Sequence, residues 1–79
     1  MSSTEKDAVE LIEFIAKAMV NEPDEVKVTA VEDGEVLELE TTNSDRGRVI
    51  GRQGRVVKAM RAVLAASGVG DNRELEIID

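Results

Sequence analysis

Asp33-Gly34, set between two alternating apolar runs, constrains this chain more than any other feature. Asp-Gly is the pair that a two-residue type I′ hairpin turn takes, because both central positions need positive φ. With Glu32 and Glu35 flanking the turn, Ala30 falls opposite Leu37, Val28 opposite Leu39 and Val26 opposite Thr41. The apolar members share one face, Lys27 meets Glu40 on the other, and Val31 pairs with Val36 on that outer face near the turn. A slip of one residue would turn each of these side chains to the wrong face, so the register is determined.

The rest of the chain reads as cover for that hairpin. Thr4-Glu5-Lys6-Asp7 resembles a helix start, with a hydroxyl cap and acids in the first turn. Ala8, Leu11, Ile12, Ile15 and Met19 recur at helical spacing, and Lys6, Glu10, Glu13, Lys17 and Asn21 line the opposite face. Pro23 ends this helix. Phe14, the single aromatic, is expected to be buried or half-buried by it. Ser44 can cap a short helix through Ile50, weakened by Gly47. Arg55 to Ala66 forms a stronger helix, with Val56, Val57, Met60, Val63 and Leu64 as a core stripe, and Ser67-Gly68 ends it. Leu75 and Ile77 alternate with Glu74 and Glu76 in a last strand. The order is αββααβ, an α+β fold with a three-stranded sheet and three helices packed on one face. Seventy-nine residues make one domain, 1–79, with residues 1–3 expected to be disordered.

Composition excludes most chemistry. There is no cysteine and no histidine, so disulfides, thiol nucleophiles and imidazole bases are absent. The acids have no metal-ligand spacing and no nucleophile beside them, so neither an enzyme nor a metal or cofactor site is expected. The longest apolar runs are three to five residues, too short to span a membrane, and a cytoplasmic location is the default.

One stretch does carry chemistry, Val49-Ile50-Gly51-Arg52-Gln53-Gly54-Arg55. A Gly-x-x-Gly turn between two helices lets another backbone come close, pushes Arg52 and Gln53 to its tip and opens a helix whose N–H groups favour an anion. From Ser44 to Arg61 there are six basic residues and one acid, a net of +5, whereas the other residues hold four basic and sixteen acidic groups, a net of −12. An acidic protein has gathered its positive charge around one turn. A tight helix–helix turn with exposed charges explains the motif alone equally well. The charge segregation, the flanking helices and the apolar Val49-Ile50 favour a phosphate clamp. A P-loop or a dinucleotide fingerprint needs other glycine spacings, and Gly47, Gly51 and Gly54 satisfy neither. Arg55, Lys58 and Arg61 form either a solvated helix face or a phosphate-supporting one. Of Arg46 and Arg48, one can pair with Asp45 across the short helix.

Strand, short helix, Ile-Gly-x-x-Gly, helix and strand together resemble the minimal KH module, whose glycine loop clamps nucleotide backbone. The leading helix and strand make it similar to the type II, bacterial arrangement. Gly47-Arg48-Val49-Ile50-Gly51-Arg52-Gln53-Gly54-Arg55 resembles the small single-KH proteins of bacteria, the KhpA type, over essentially the whole chain. The resemblance implies that Gly51, Arg52, Gln53 and Gly54 clamp single-stranded RNA, that Ile50 belongs to the floor of the base groove, and that Arg48, Arg55 and Lys58 assist. It implies a role in post-transcriptional regulation or RNA chaperoning, and pairing as a homodimer or with a larger KH protein of the Jag type. Ala59, Ala62, Ala65 and Ala66 offer a surface for such pairing. The strongly acidic remainder departs from a general RNA binder and argues against tight, sequence-blind binding. An interaction module of the same fold, with RNA contact secondary, stands as the alternative. No membrane and no small-molecule substrate are expected.

Overall fold

The computed structural model describes residues 3–69 and 73–78. Helix α1 spans Ser3–Met19, strands β1 and β2 are Lys27–Val31 and Val36–Glu40, helices α2 and α3 are Asn43–Ile50 and Arg55–Ala66, and strand β3 is Glu74–Ile77. The order is αββααβ in an α+β fold. Ser3 already belongs to α1, while Met1 and Ser2 lie outside the described residues.

The hairpin takes the register its alternation requires. Lys27 pairs with Glu40, Val28 with Leu39, Ala30 with Leu37 and Val31 with Val36. The Glu35 N–H donates to the Glu32 carbonyl at 3.1 Å, with Asp33 and Gly34 at φ 58° and 86° between them. Glu32 also takes φ 52°, so the ladder stops at Val31–Val36, one pair short of the turn. Val26 lies before β1 and is buried without joining the ladder. Strand β3 adds parallel to β2, giving the sheet order β1-β2-β3. Leu37, Leu39 and Leu75 are buried under the helices, while Glu38, Glu40, Glu74 and Glu76 take the other face.

Helix α1 docks through Ala8, Ile12 and Ala16, all fully buried at i, i+4 spacing, with Leu11 and Ile15 half-buried beside them. Two alanines in that stripe let the helix approach the sheet closely. Two expectations about α1 fail. Met19, at the last residue of the helix, is 37% exposed, and Phe14 is 75% exposed because it projects about 200° around the helix from Ile12. In α3, Val57, Met60 and Leu64 enter the core and Val56 is half-buried, but Val63 is 46% exposed, so the stripe is narrower than its apolar residues suggest.

Candidate nucleic-acid interface

Helix α2 begins two residues earlier than a Ser44 cap would set it. Thr42 is the N-cap, and its hydroxyl accepts the Asp45 N–H at 3.1 Å. A hydroxyl three residues before an acid is the sequence mark of a capping box, and Thr42-Asn43-Ser44-Asp45 carries it. The carboxylate of Asp45 turns elsewhere. It accepts the N–H groups of Asn21 and Glu22, at 3.1 and 3.0 Å, in the connection that leaves α1. Arg48 Nε lies 3.2 Å from Asp45 Oδ1. Among the described residues Asp45 is the one buried charged side chain, 1% exposed. Burial pushes its carboxyl up, but the two backbone N–H groups, Thr42 and the Arg48 guanidinium outweigh this and hold it below the ordinary aspartate value. Asp45 therefore anchors α2, and the glycine loop behind it, to the body of the fold. Its acid character offered no hint of burial in the sequence.

The loop itself is built on two glycines with different duties. Gly51 takes φ 78° and ψ 168°, a region essentially restricted to glycine, and its N–H donates to the Gly47 carbonyl at 2.8 Å to finish α2. A Cβ at Gly51 would stand 2.8 Å from the Val56 backbone nitrogen and 2.9 Å from Val56 Cβ, so the first turn of α3 packs where that side chain would be. Gly54 is left-handed, at φ 74° and ψ 16°, yet a Cβ there would meet nothing closer than 3.8 Å. Between them Gln53 is also left-handed, at φ 57°. Arg52 and Gln53 stand exposed at the tip.

Helix α3 opens at Gly54 with no side-chain cap and no acid in its first turn. Arg55 and Lys58 are exposed there, beside Arg52 in sequence and loop. Ile50 is half-buried at the end of α2. The other basic residues are differently occupied. Arg48 lies about 200° around α2 from Ile50, on the flank that faces Asp45. Arg46 donates from Nη2 to Asn43 Oδ1 at 2.7 Å. Arg61 donates from Nε and Nη2 to the Leu75 carbonyl, at 3.2 and 2.9 Å, and so ties α3 to β3. The structure thus brings Ile50, Gly51, Arg52, Gln53, Gly54, Arg55 and Lys58 into one continuous surface and sets Arg48 and Arg61 apart from it.

A three-stranded mixed sheet in the order αββααβ, with a Gly-x-x-Gly turn joining its second and third helices, defines a KH domain of the type II order. The family model for the KhpA/KhpB KH domain matches residues 9–78, and the chain belongs to that family. It is 47% identical over 76 residues to the RNA-binding protein KhpA of Borreliella burgdorferi, covering 90% of this chain and 92% of that protein. To the RNA-binding protein KhpA of Treponema pallidum it is 45% identical over 74 residues, covering 89% and 92%. To that of Clostridium perfringens it is 41% identical over 70 residues, covering 86% and 93%. These relatives carry the names of binding proteins, and the family is not one of enzymes. No solved structure matches the chain at a significant level.

Proposed function

We propose that the chain is a non-catalytic binder of single-stranded RNA. The loop Gly51–Gly54 and the first turn of α3 hold the sugar-phosphate backbone, and Ile50 contributes to the floor beneath the bases. The observation that carries this reading is one helix end. Arg52, Arg55 and Lys58 crowd the uncapped start of α3, where no acid balances the helix dipole. Cations at the positive end of a helix are unfavourable, and an anion bound there relieves both the dipole and the repulsion. The relatives named RNA-binding proteins favour phosphate as that anion. With one exposed aromatic and that on α1, base contacts rest on aliphatic surface and hydrogen bonds. Such a grip suits post-transcriptional regulation or RNA chaperoning in the cytoplasm. The test replaces Arg52 and Gln53 together with Asp. Both side chains are exposed and Asp tolerates the left-handed backbone at position 53, so the fold is retained. RNA affinity should fall at least tenfold, about 1.4 kcal/mol. Unchanged affinity in the folded double variant would remove the clamp.

A second surface favours self-association. An apolar groove of about 190 Å³ runs between α1 and α3, lined by Ile15, Met19, Val56, Ala59, Met60 and Val63. Val63 and Met19 are exposed beside it. On this reading the contact would fall on Val63 and Ala59 more than on Ala62, Ala65 and Ala66, which project further round α3 from the groove. A second copy of the chain, by joining two weak RNA surfaces, raises avidity without new contacts to RNA. Light scattering over a concentration series should give a dimer mass for the wild type and a monomer for Val63→Glu. A monomer at tens of micromolar would leave a larger KH protein of the Jag type as the occupant.

A further inference from the structure

Phe14 is the single aromatic side chain of the chain, and it stands 75% exposed on α1. Its neighbours continue it. Going round the helix from Phe14, Ala18 and Leu11 follow at about 40° and 60°, and Ile15 at about 100°. Ala18 is exposed, Leu11 and Ile15 are half-buried, and Ile15 already lines the groove between α1 and α3. One apolar surface therefore runs from a projecting ring to a hollow of about 190 Å³. A continuous apolar surface of this kind marks an interface.

Charge indicates what covers it. Helix α1 carries four acids, Glu5, Asp7, Glu10 and Glu13, against Lys6 and Lys17, whereas α3 carries Arg55, Lys58 and Arg61 and no acid. A two-fold axis that lays α1 of one copy over α3 of another brings opposite signs together twice. It also sets each Phe14 against the other copy's groove. RNA fits worse, because the groove is lined by apolar side chains alone and α1 is acidic. One wall of the groove has a second duty. Val56 lines it, and the same side chain stands where a side chain on Gly51 would be, at the start of the loop.

We propose that Phe14 of a second copy fills the groove and packs on Val56 behind the loop, so that self-association and RNA binding favour one another. This rests on the self-association and clamp readings above. Filling the groove fixes the wall against which Gly51 sits, and linkage makes the gain reciprocal. The chain has no tryptophan and no tyrosine, so Phe14→Trp supplies a lone fluorophore. As its concentration rises through the association range seen by light scattering, emission should move to shorter wavelength and lose quenching by acrylamide. Combined with Val63→Glu, the same fluorophore should stay exposed. Phe14→Ser should weaken association about tenfold or more, with the stability of the dilute monomer unchanged. A four-nucleotide RNA, too short to bridge two clamps, should bind the wild-type dimer about fivefold or more tightly than it binds Phe14→Ser. The same RNA should tighten the dimer by the same factor. A dimer whose indole stays quenchable would overturn the proposal, as would equal affinity of the dimer and Phe14→Ser for the short RNA. A wild type that remains monomeric defeats the self-association reading first, and a dimer that binds no RNA defeats the clamp reading first. Either takes this proposal with it.

Discussion

Gly51 and Gly54 look equivalent in the motif and are not equivalent in the molecule. At Gly51 a methyl group would press on the backbone of Val56 from a conformation open only to glycine. Gly51→Ala should therefore cost about 3 kcal/mol or more, a large share of what a domain of this size possesses. At Gly54 there is room, and Gly54→Ala should cost about 1–2 kcal/mol through left-handed strain. Urea denaturation of the two variants distinguishes them, and equal losses would contradict the packing seen at Val56. Asp45 invites a second measurement at this scale. Its carboxyl is held below its ordinary value of 3.8, so the folded chain binds that proton less readily than the unfolded one. The stability it contributes is complete above that value and is lost as the pH falls through the lowered folded pKa. Asp45→Asn should be less stable than the wild type at neutral pH, and the gap should close below about pH 4. A gap that stays constant in urea titrations down the pH series would show that ionisation at Asp45 is immaterial.

At the scale of elements, α1 gives the clearest contrast between positions that matter and positions that do not. Ile12 is fully buried in the core, and Ile12→Ala should cost about 2–5 kcal/mol. Phe14 is mostly exposed, and Phe14→Ser should change stability by less than about 0.5 kcal/mol, within the range of surface substitutions. Denaturation midpoints of the pair check this, and a large loss at Phe14 would mean that α1 is rotated from its position here. The sequence misleads at this point for a physical reason. A stripe chosen by large apolar residues selects Met19 and passes over Ala16, yet close packing of a helix on a sheet is made by small residues. The hairpin was legible because period-two alternation allows only one register around Asp33-Gly34. The ends of α3 were legible because Gly54 and Ser67-Gly68 bracket it. What stayed hidden were long-range partners: Asp45 with Asn21 and Glu22, Arg61 with Leu75, and Val56 over Gly51. No local pattern announces a hydrogen bond across 23 or 24 residues. The loop residues of the candidate site were readable because they are consecutive, whereas separating Arg48 from them required knowing which flank of α2 faces α1.

For the whole molecule, the governing fact is a net charge of −7 in which six of the ten basic residues are gathered between Ser44 and Arg61. The four strand glutamates Glu38, Glu40, Glu74 and Glu76 occupy the sheet face turned away from the helices. At physiological salt a Debye length of about 8 Å screens them from the loop. Three exposed cations, Arg52, Arg55 and Lys58, each neutralising one phosphate, give an expected slope of log K against log salt near −2 for single-stranded RNA. Fluorescence titrations between low and physiological salt measure it. A slope near zero would point to apolar association in place of phosphate contact.

Arg61 has a meaning of its own in the assembled sheet. Glu74 donates its N–H to the Glu35 carbonyl just before β2 and Ile78 to the Leu39 carbonyl within it, so the carbonyl of Leu75 between them faces outward along the open side of β3. An open row of amides is a template on which an unfolded or neighbouring chain can add a strand and begin a fibril. The guanidinium of Arg61 occupies that acceptor, and the charged side chains on either side discourage close stacking. A strand adding at that border would have to displace the guanidinium of Arg61 from the Leu75 carbonyl before it could pair there.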